Sequence, residues 1–119
     1  MTQEPLSRRV LVADDEEEVC RHLKLYLERR GFFVVVALDG AEARRCIETD
    51  ILDYILLDCS MPEVTGLELI ALARQRHPRA KIVMISSFPS VDSEVVQKLG
   101  GDLFIHKPLK LSEMDQIFQ

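Results

Sequence analysis

The sequence predicts an α/β protein, a doubly wound parallel sheet flanked by helices, and three observations carry that prediction. Five short apolar runs alternate with five amphipathic stretches along the chain. The runs are apolar almost throughout, rather than at every second residue, as strands covered on both faces are. The chain has 119 residues, enough for a single domain, residues 1–119, with its own core. Right-handed crossovers between parallel neighbours then put helices on both faces of one sheet.

The first strand is Arg9 to Ala13 (RVLVA), β-branched and apolar, broken by Asp14. Glu16 to Arg30 reads as a helix, with Val19, Leu23, Tyr26 and Leu27 at helical spacing and Gly31 where a C-terminal cap belongs. Phe32 to Leu38 is the second strand. Ala41 to Thr49 is a short helix with Ala43, Cys46 and Ile47 on one side. Asp53 to Asp58 (DYILLD) is the third strand. Leu67 to His77 is helical, with Leu67, Ile70 and Ala71 expected inward, and Pro78 ends it. Lys81 to Ser86 (KIVMIS) is the fourth strand. A helix from Ser90 to Leu99 stops at Gly100, and Leu103 to His106 is a short fifth strand. A last helix runs from Leu111 to Phe118, with Leu111, Met114 and Ile117 expected in phase.

Composition narrows the function classes. Hydrophobic residues make up 47% and charged residues 29%, which suits a folded globular domain and not a disordered one. Lys and Arg number 15 against 20 Asp and Glu, a net charge of −5 with no basic stripe, so direct nucleic-acid binding is not expected. The apolar run Phe32 to Leu38 has seven residues, far short of the ~20 that cross a bilayer, so no membrane association is expected. Met1 to Arg9 has no apolar segment of the kind that directs secretion. Cys20, Cys46 and Cys59 are an odd, scattered set, which fits reduced thiols in a cytoplasmic protein.

In a doubly wound sheet, chemistry gathers at the carboxyl ends of the strands. There the first strand delivers Asp14 and Asp15, the third Asp58, the fourth Ser86 and Ser87, and the fifth His106, Lys107 and Pro108. Two carboxylates ~4 Å apart repel by about 4 kcal/mol at an effective dielectric of 20, so three of them need cations. Lys107 supplies one positive charge. An all-oxygen donor set suits Mg²⁺ or Mn²⁺ for the rest. A divalent ion, a lysine and hydroxyl donors together fit a phosphoryl group, and a carboxylate is the plausible nucleophile toward it.

These residues, in this order, resemble the receiver domain of two-component response regulators, over about Arg8 to Phe118. The resemblance rests on Asp14-Asp15 after the first strand, on Asp58-Cys59-Ser60-Met61-Pro62 with Gly66, on Ser86, and on Lys107-Pro108. It implies a flavodoxin-like receiver fold with strand order 2-1-3-4-5. It implies Asp58 as phosphoacceptor. Asp15 and Asp58 would ligate Mg²⁺ directly, Asp14 directly or through water, and the backbone carbonyl of Ser60 would be a further ligand. Lys107 would pair with a phosphoryl oxygen, Ser86 would donate its hydroxyl, and the Ser87 N–H would assist. Ser86 and Phe104 would form the switch that reshapes the face of the fourth helix, fifth strand and fifth helix. The implied partners are a sensor histidine kinase or phosphotransfer protein as donor, and an output domain or partner protein on that face.

Some residues depart from the family pattern. Ser87 replaces the usual Ala, and Phe88 follows it near the path of attacking water, which would slow hydrolysis; Ser60 is the other residue expected to tune that rate. The segment from Ser86 to Lys107 is about one residue shorter than the commonest spacing, which leaves the start of the fourth helix, and hence the output face, open. Phe104 stands where Tyr is commoner and, lacking the hydroxyl, is expected to favour an inward position. His106 replaces an apolar residue. The end at Gln119 is early for a complete fifth helix and suggests a piece of a longer regulator or a trimmed single-domain protein.

Plainer readings remain for other residues. Glu16 to Glu18 suit a helix N-terminus, with Arg29 and Arg30 at the far end. His22, His77 and His106 lack partners at ligand spacing and read as surface or hydrogen-bonded histidines. Two other functions compete: an aspartate-dependent phosphohydrolase, which usually carries a second Asp where this chain has Ser60, and a non-phosphorylated pseudo-receiver serving as an interaction surface.

Overall fold

Along β1 (Arg9–Ala13), Val10 and Val12 pack on one side of the sheet, Leu11 and Ala13 on the other, and all four are buried. That two-sided burial is why the run is apolar without alternation. The computed structural model describes residues 8–58, 66–86 and 93–118. The remaining strands are β2 (Phe33–Ala37), β3 (Tyr54–Asp58), β4 (Lys81–Ser86) and β5 (Leu103–His106). All neighbours are parallel, in the order β2-β1-β3-β4-β5. The family resemblance implied this order, and the sheet has it.

The helices are α1 (Glu17–Glu28), α2 (Gly40–Thr49), α3 (Gly66–Arg76), α4 (Ser93–Lys98) and α5 (Leu111–Ile117). Cys20 and Leu27 of α1 and Met114 and Ile117 of α5 join Val10, Val12, Leu56 and Val83 on one face. Ala43 and Ile47 of α2, Leu69, Ile70 and Ala73 of α3, and Val96 of α4 cover Leu11, Ile55, Leu57 and Met84 on the other. Each face of the sheet thus has its own apolar layer, the doubly wound arrangement.

Local chemistry sets the helix ends. Gly31 and Gly100 take φ of 93° and 105°, which side chains disfavour. At each, the glycine N–H and the next N–H bond back to the last turn: Gly31 to Glu28 and Phe32 to Leu27, Gly100 to Gln97 and Gly101 to Val96. The Asp39 side chain accepts from the Glu42 N–H at 2.7 Å to start α2.

Three expectations need correction. Ala71 is exposed, and α3 buries Leu69, Ile70 and Ala73, the i, i+1, i+4 stripe one step round from the expected one. Leu111 is 70% exposed while Met114, Ile117 and Phe118 are buried. Residues at i, i+3 and i+6 drift roughly 120° around a helix, so one end of such a set leaves the core face. Arg29 and Arg30 lie beyond α1, whose last turn carries no basic residue; Arg30 instead pairs with Asp115 at 3.0 Å, beside Tyr26, tying α1 to α5. The expected start of the fourth helix at Ser90 lies outside the described residues.

Sequence patterns gave no hint of Arg74. From α3 its guanidinium donates to the carbonyls of Gly100 (2.8 Å), Pro78 (2.8 Å) and Ala80 (3.0 Å) and pairs with Asp102 at 2.7 Å. The same Asp102 oxygen accepts the Ile82 N–H at 2.8 Å. One side chain therefore gathers α3, β4 and the α4–β5 turn at the amino edge of the sheet.

Candidate functional site at the carboxyl edge of the sheet

Register brings the acidic residues together. β1 lies between β2 and β3, with Ala13 opposite Leu57, so the chain leaving β1 at Asp14 emerges beside Asp58. Asp14 is fixed by its own backbone: its N–H donates to Ala37 (3.0 Å), and its Oδ1 accepts the Glu16 N–H (2.9 Å). Asp14 and Asp58 are buried and Asp15 is exposed; one oxygen from each lies within 4.8 Å of the others. Carboxylates so close, two of them out of water, call for a cation, and an oxygen-only set is the hard-ligand choice of Mg²⁺, Mn²⁺ or Ca²⁺. Among the described residues no other group of His, Cys, Asp and Glu is arranged to hold a metal.

Lys107 reaches the same point from β5. Its backbone N–H continues the ladder to the Ser86 carbonyl at 2.8 Å. Its Nζ lies 2.9 Å from Asp14, 3.0 Å from Glu16 and 3.6 Å from Asp58. Burial works against the ammonium, yet hydrogen bonds to Asp14 and Glu16 and the charges of Asp14 and Asp58 outweigh it. They lift its pKa above the ordinary lysine range. The lysine is charged throughout the physiological range.

Ser86 is fully buried at the end of β4, one residue beyond Ile85, the partner of Asp58. Phe104 pairs with Met84 across β4–β5 and is half-buried; its ring packs on the α2–α3–α4 side of the core and stands edge-on to exposed His106 at 4.8 Å. Of the histidines, His22 is exposed and His77 Nε2 lies 2.7 Å from the Ile47 carbonyl. Ser60 and Ser87, with Cys59, Met61, Pro62 and Phe88, lie outside the described residues.

The residue that sequence reasoning missed is Glu16. A run of acids before a helix reads as dipole compensation, and its true partner lies 91 positions away. With Asp14, Val19, Lys107 and Leu109 it lines an open cleft of about 580 Å³ between α1 and the link from β5 to α5.

Beneath Asp14, the Cys20 thiol donates to the Asp14 carbonyl at 3.3 Å. Burial, with the Asp14 charge, pushes its pKa up to about 11. Folding therefore favours the thiol form. The stability this adds is complete below the ordinary thiol pKa near 9 and fades as pH rises through about 11. At pH 8 the native protein is expected to leave Cys20 unmodified by a disulfide reagent at least ~10-fold longer than in urea. Equal labelling rates, followed by peptide mass, would show the thiol is neither buried nor protonated as described.

Comparisons with known proteins identify the family and the fold. The family model described as the response regulator receiver domain matches residues 10–119. The chain is 33% identical over 111 residues to the alkaline phosphatase synthesis transcriptional regulatory protein PhoP of Bacillus subtilis, covering 92% of this chain and 46% of that protein. It is 33% identical over 106 residues to the transcriptional regulatory protein CpxR of Escherichia coli, covering 89% and 45%. The chain thus spans slightly under half the length of these curated relatives. Among solved structures, it resembles a Burkholderia pseudomallei response regulator crystallised with a phosphorylated aspartic acid, calcium ion and citrate. The TM-score is 0.87 at 28% identity, covering 95% of this chain and 67% of that one. It likewise resembles Thermotoga maritima TrrA in complex with Mg²⁺ and BeF, with TM-score 0.81 at 28% identity, covering 92% and 94%.

Proposed function

The chain belongs to the receiver domain family of two-component response regulators, and on that premise we propose that Asp58 accepts a phosphoryl group from a phosphohistidine on a sensor histidine kinase or phosphotransfer protein. The observation that carries this reading is the meeting of Asp14, Asp15, Asp58 and the Lys107 ammonium at one point. The Burkholderia and Thermotoga relatives, solved with a phosphorylated aspartate and with Mg²⁺ and BeF, support it.

In the step proposed, an Asp58 carboxylate oxygen attacks phosphorus as the phosphorus–nitrogen bond of the donor breaks and the imidazole leaves. Asp14, Asp15, Asp58 and the Ser60 carbonyl would hold Mg²⁺, with Mn²⁺ an alternative, which supplies charge neutralisation for the phosphoryl oxygens. Lys107 would pair with one phosphoryl oxygen, and the Ser86 hydroxyl and Ser87 N–H would donate to another. Withdrawal of Ser86 toward the phosphoryl group would free space that the Phe104 ring fills from its half-buried position, reshaping the α4–β5–α5 face for an output domain or partner. The chain would act as a regulatory acceptor that catalyses only its own phosphorylation and dephosphorylation. No helix among the described residues is long and apolar enough to cross a membrane; cytoplasmic action is part of the proposal.

Intact mass after incubation with Mg²⁺ and acetyl phosphate tests it. One acid-stable, base-labile phosphoryl group is expected, absent in Asp58→Asn and lost when EDTA removes the metal. Turnover of general phosphate esters would indicate the hydrolase instead, and no uptake with any metal or donor the pseudo-receiver.

A further inference from the structure

Lys107 is engaged before any phosphoryl group arrives. Its Nζ hydrogen-bonds Asp14 at 2.9 Å and Glu16 at 3.0 Å, while the nearest Asp58 oxygen lies at 3.6 Å, longer than a hydrogen bond. Asp14 is buried and already accepts the Glu16 N–H. The Glu16 side chain is 62% exposed and regains water on release. Of the two carboxylates that hold the ammonium, Glu16 is the one that can let go at small cost.

We propose that Glu16 is a positioning residue that clamps the Lys107 ammonium on the α1 side of the site, so that a phosphoryl group on Asp58 must take the lysine from it. The consequence for transfer rests on the reading of Asp58 as acceptor; the clamp itself does not. Two effects act in one direction. Removing Glu16 frees a donor of Lys107 and takes a negative charge from beside the site that an anionic donor would approach. Breaking an exposed pair of this kind corresponds to a rise in uptake of roughly two- to fivefold. Glu16 makes no side-chain cap to α1, so its replacement costs the helix no hydrogen bond.

The experiment has two readouts on wild type, Glu16→Gln, Glu16→Asp and Glu17→Gln. The first is the nitrogen-15 signal of the Lys107 ammonium in the metal-free, unphosphorylated protein, assigned by its loss in Lys107→Arg. The second is the initial rate of phosphoryl uptake from acetyl phosphate with Mg²⁺. A clamp gives a shifted, faster-exchanging ammonium signal and faster uptake in both Glu16 variants, because aspartate keeps the charge but falls one methylene short. Glu17→Gln, which removes an equal charge beside the pair, should match wild type in both. An ammonium signal unchanged by Glu16→Gln overturns the clamp. So does an uptake rate that rises equally in Glu17→Gln and not in Glu16→Asp, which is a long-range charge effect. If wild type takes up no phosphoryl group, the acceptor reading of Asp58 falls, and the ammonium signal alone decides the clamp.

Discussion

Lys107→Ala is expected to lower phosphoryl uptake from acetyl phosphate by about 10²- to 10³-fold, the usual loss when one preorganised charge at a developing anion is removed. It should also destabilise the metal-free protein by about 2–3 kcal/mol. Its side chain is 17% exposed and holds Asp14 and Glu16 while facing Asp58. Deleting it leaves two buried carboxylates side by side with no cation, and stranding a buried charge costs about 3–5 kcal/mol when burial is complete. The partial exposure argues for the lower figure. Intact mass measures the first effect, and urea unfolding with EDTA present the second. Asp14→Asn added to Lys107→Ala should restore part of the stability, since the two changes share one contact. Lys107 has a raised pKa, so its contribution is fully present at and below the ordinary lysine value of about 10.4 and fades only as pH rises above it. A Lys107→Ala protein that unfolds at the wild-type urea concentration would show that the carboxylates do not depend on the ammonium.

Arg74→Ala should have a comparable effect on stability and none on chemistry. The guanidinium satisfies the carbonyls of Gly100, Pro78 and Ala80 and pairs with Asp102. Charge-assisted hydrogen bonds are worth about 1.5–3 kcal/mol each when well shielded. The pair is partly exposed, at 28% and 43%, so a total near 3 kcal/mol is expected. Lysine cannot imitate the fork, and Arg74→Lys should recover less than half. Glycine is required beside it, because a Cβ at Gly100 would sit 2.9 Å from the Arg74 side chain and the residue holds φ at 105°. The hub lies at the amino edge of the sheet and the acidic site at the carboxyl edge. Thermal unfolding should therefore fall by roughly 12 °C while phosphoryl uptake at low temperature stays at wild type. Lost uptake with unchanged unfolding would reverse this division of roles.

The fold was legible because its strands are buried on both faces. RVLVA and KIVMIS read as strands in the sequence, and β1 and β4 have those bounds. Helix faces were less legible. Ala71 and Leu111 sit at helical spacing yet point away from the core, since spacing gives a stripe's width and only packing gives its rotation.

The candidate site divides in the same way. Asp14, Asp15, Asp58 and Lys107 were foreseen because parallel strands end at a common edge, so residues that follow strands are neighbours whatever their separation in the chain. Local residue patterns thus suffice for the layered sheet and for the charges brought to its carboxyl edge. The tertiary structure alone decided which carboxylates hold the lysine, and that Arg74 locks the opposite edge. Those pairings join residues 91 and 28 positions apart, and a hydrogen bond is settled by tenths of an ångström that no local pattern encodes.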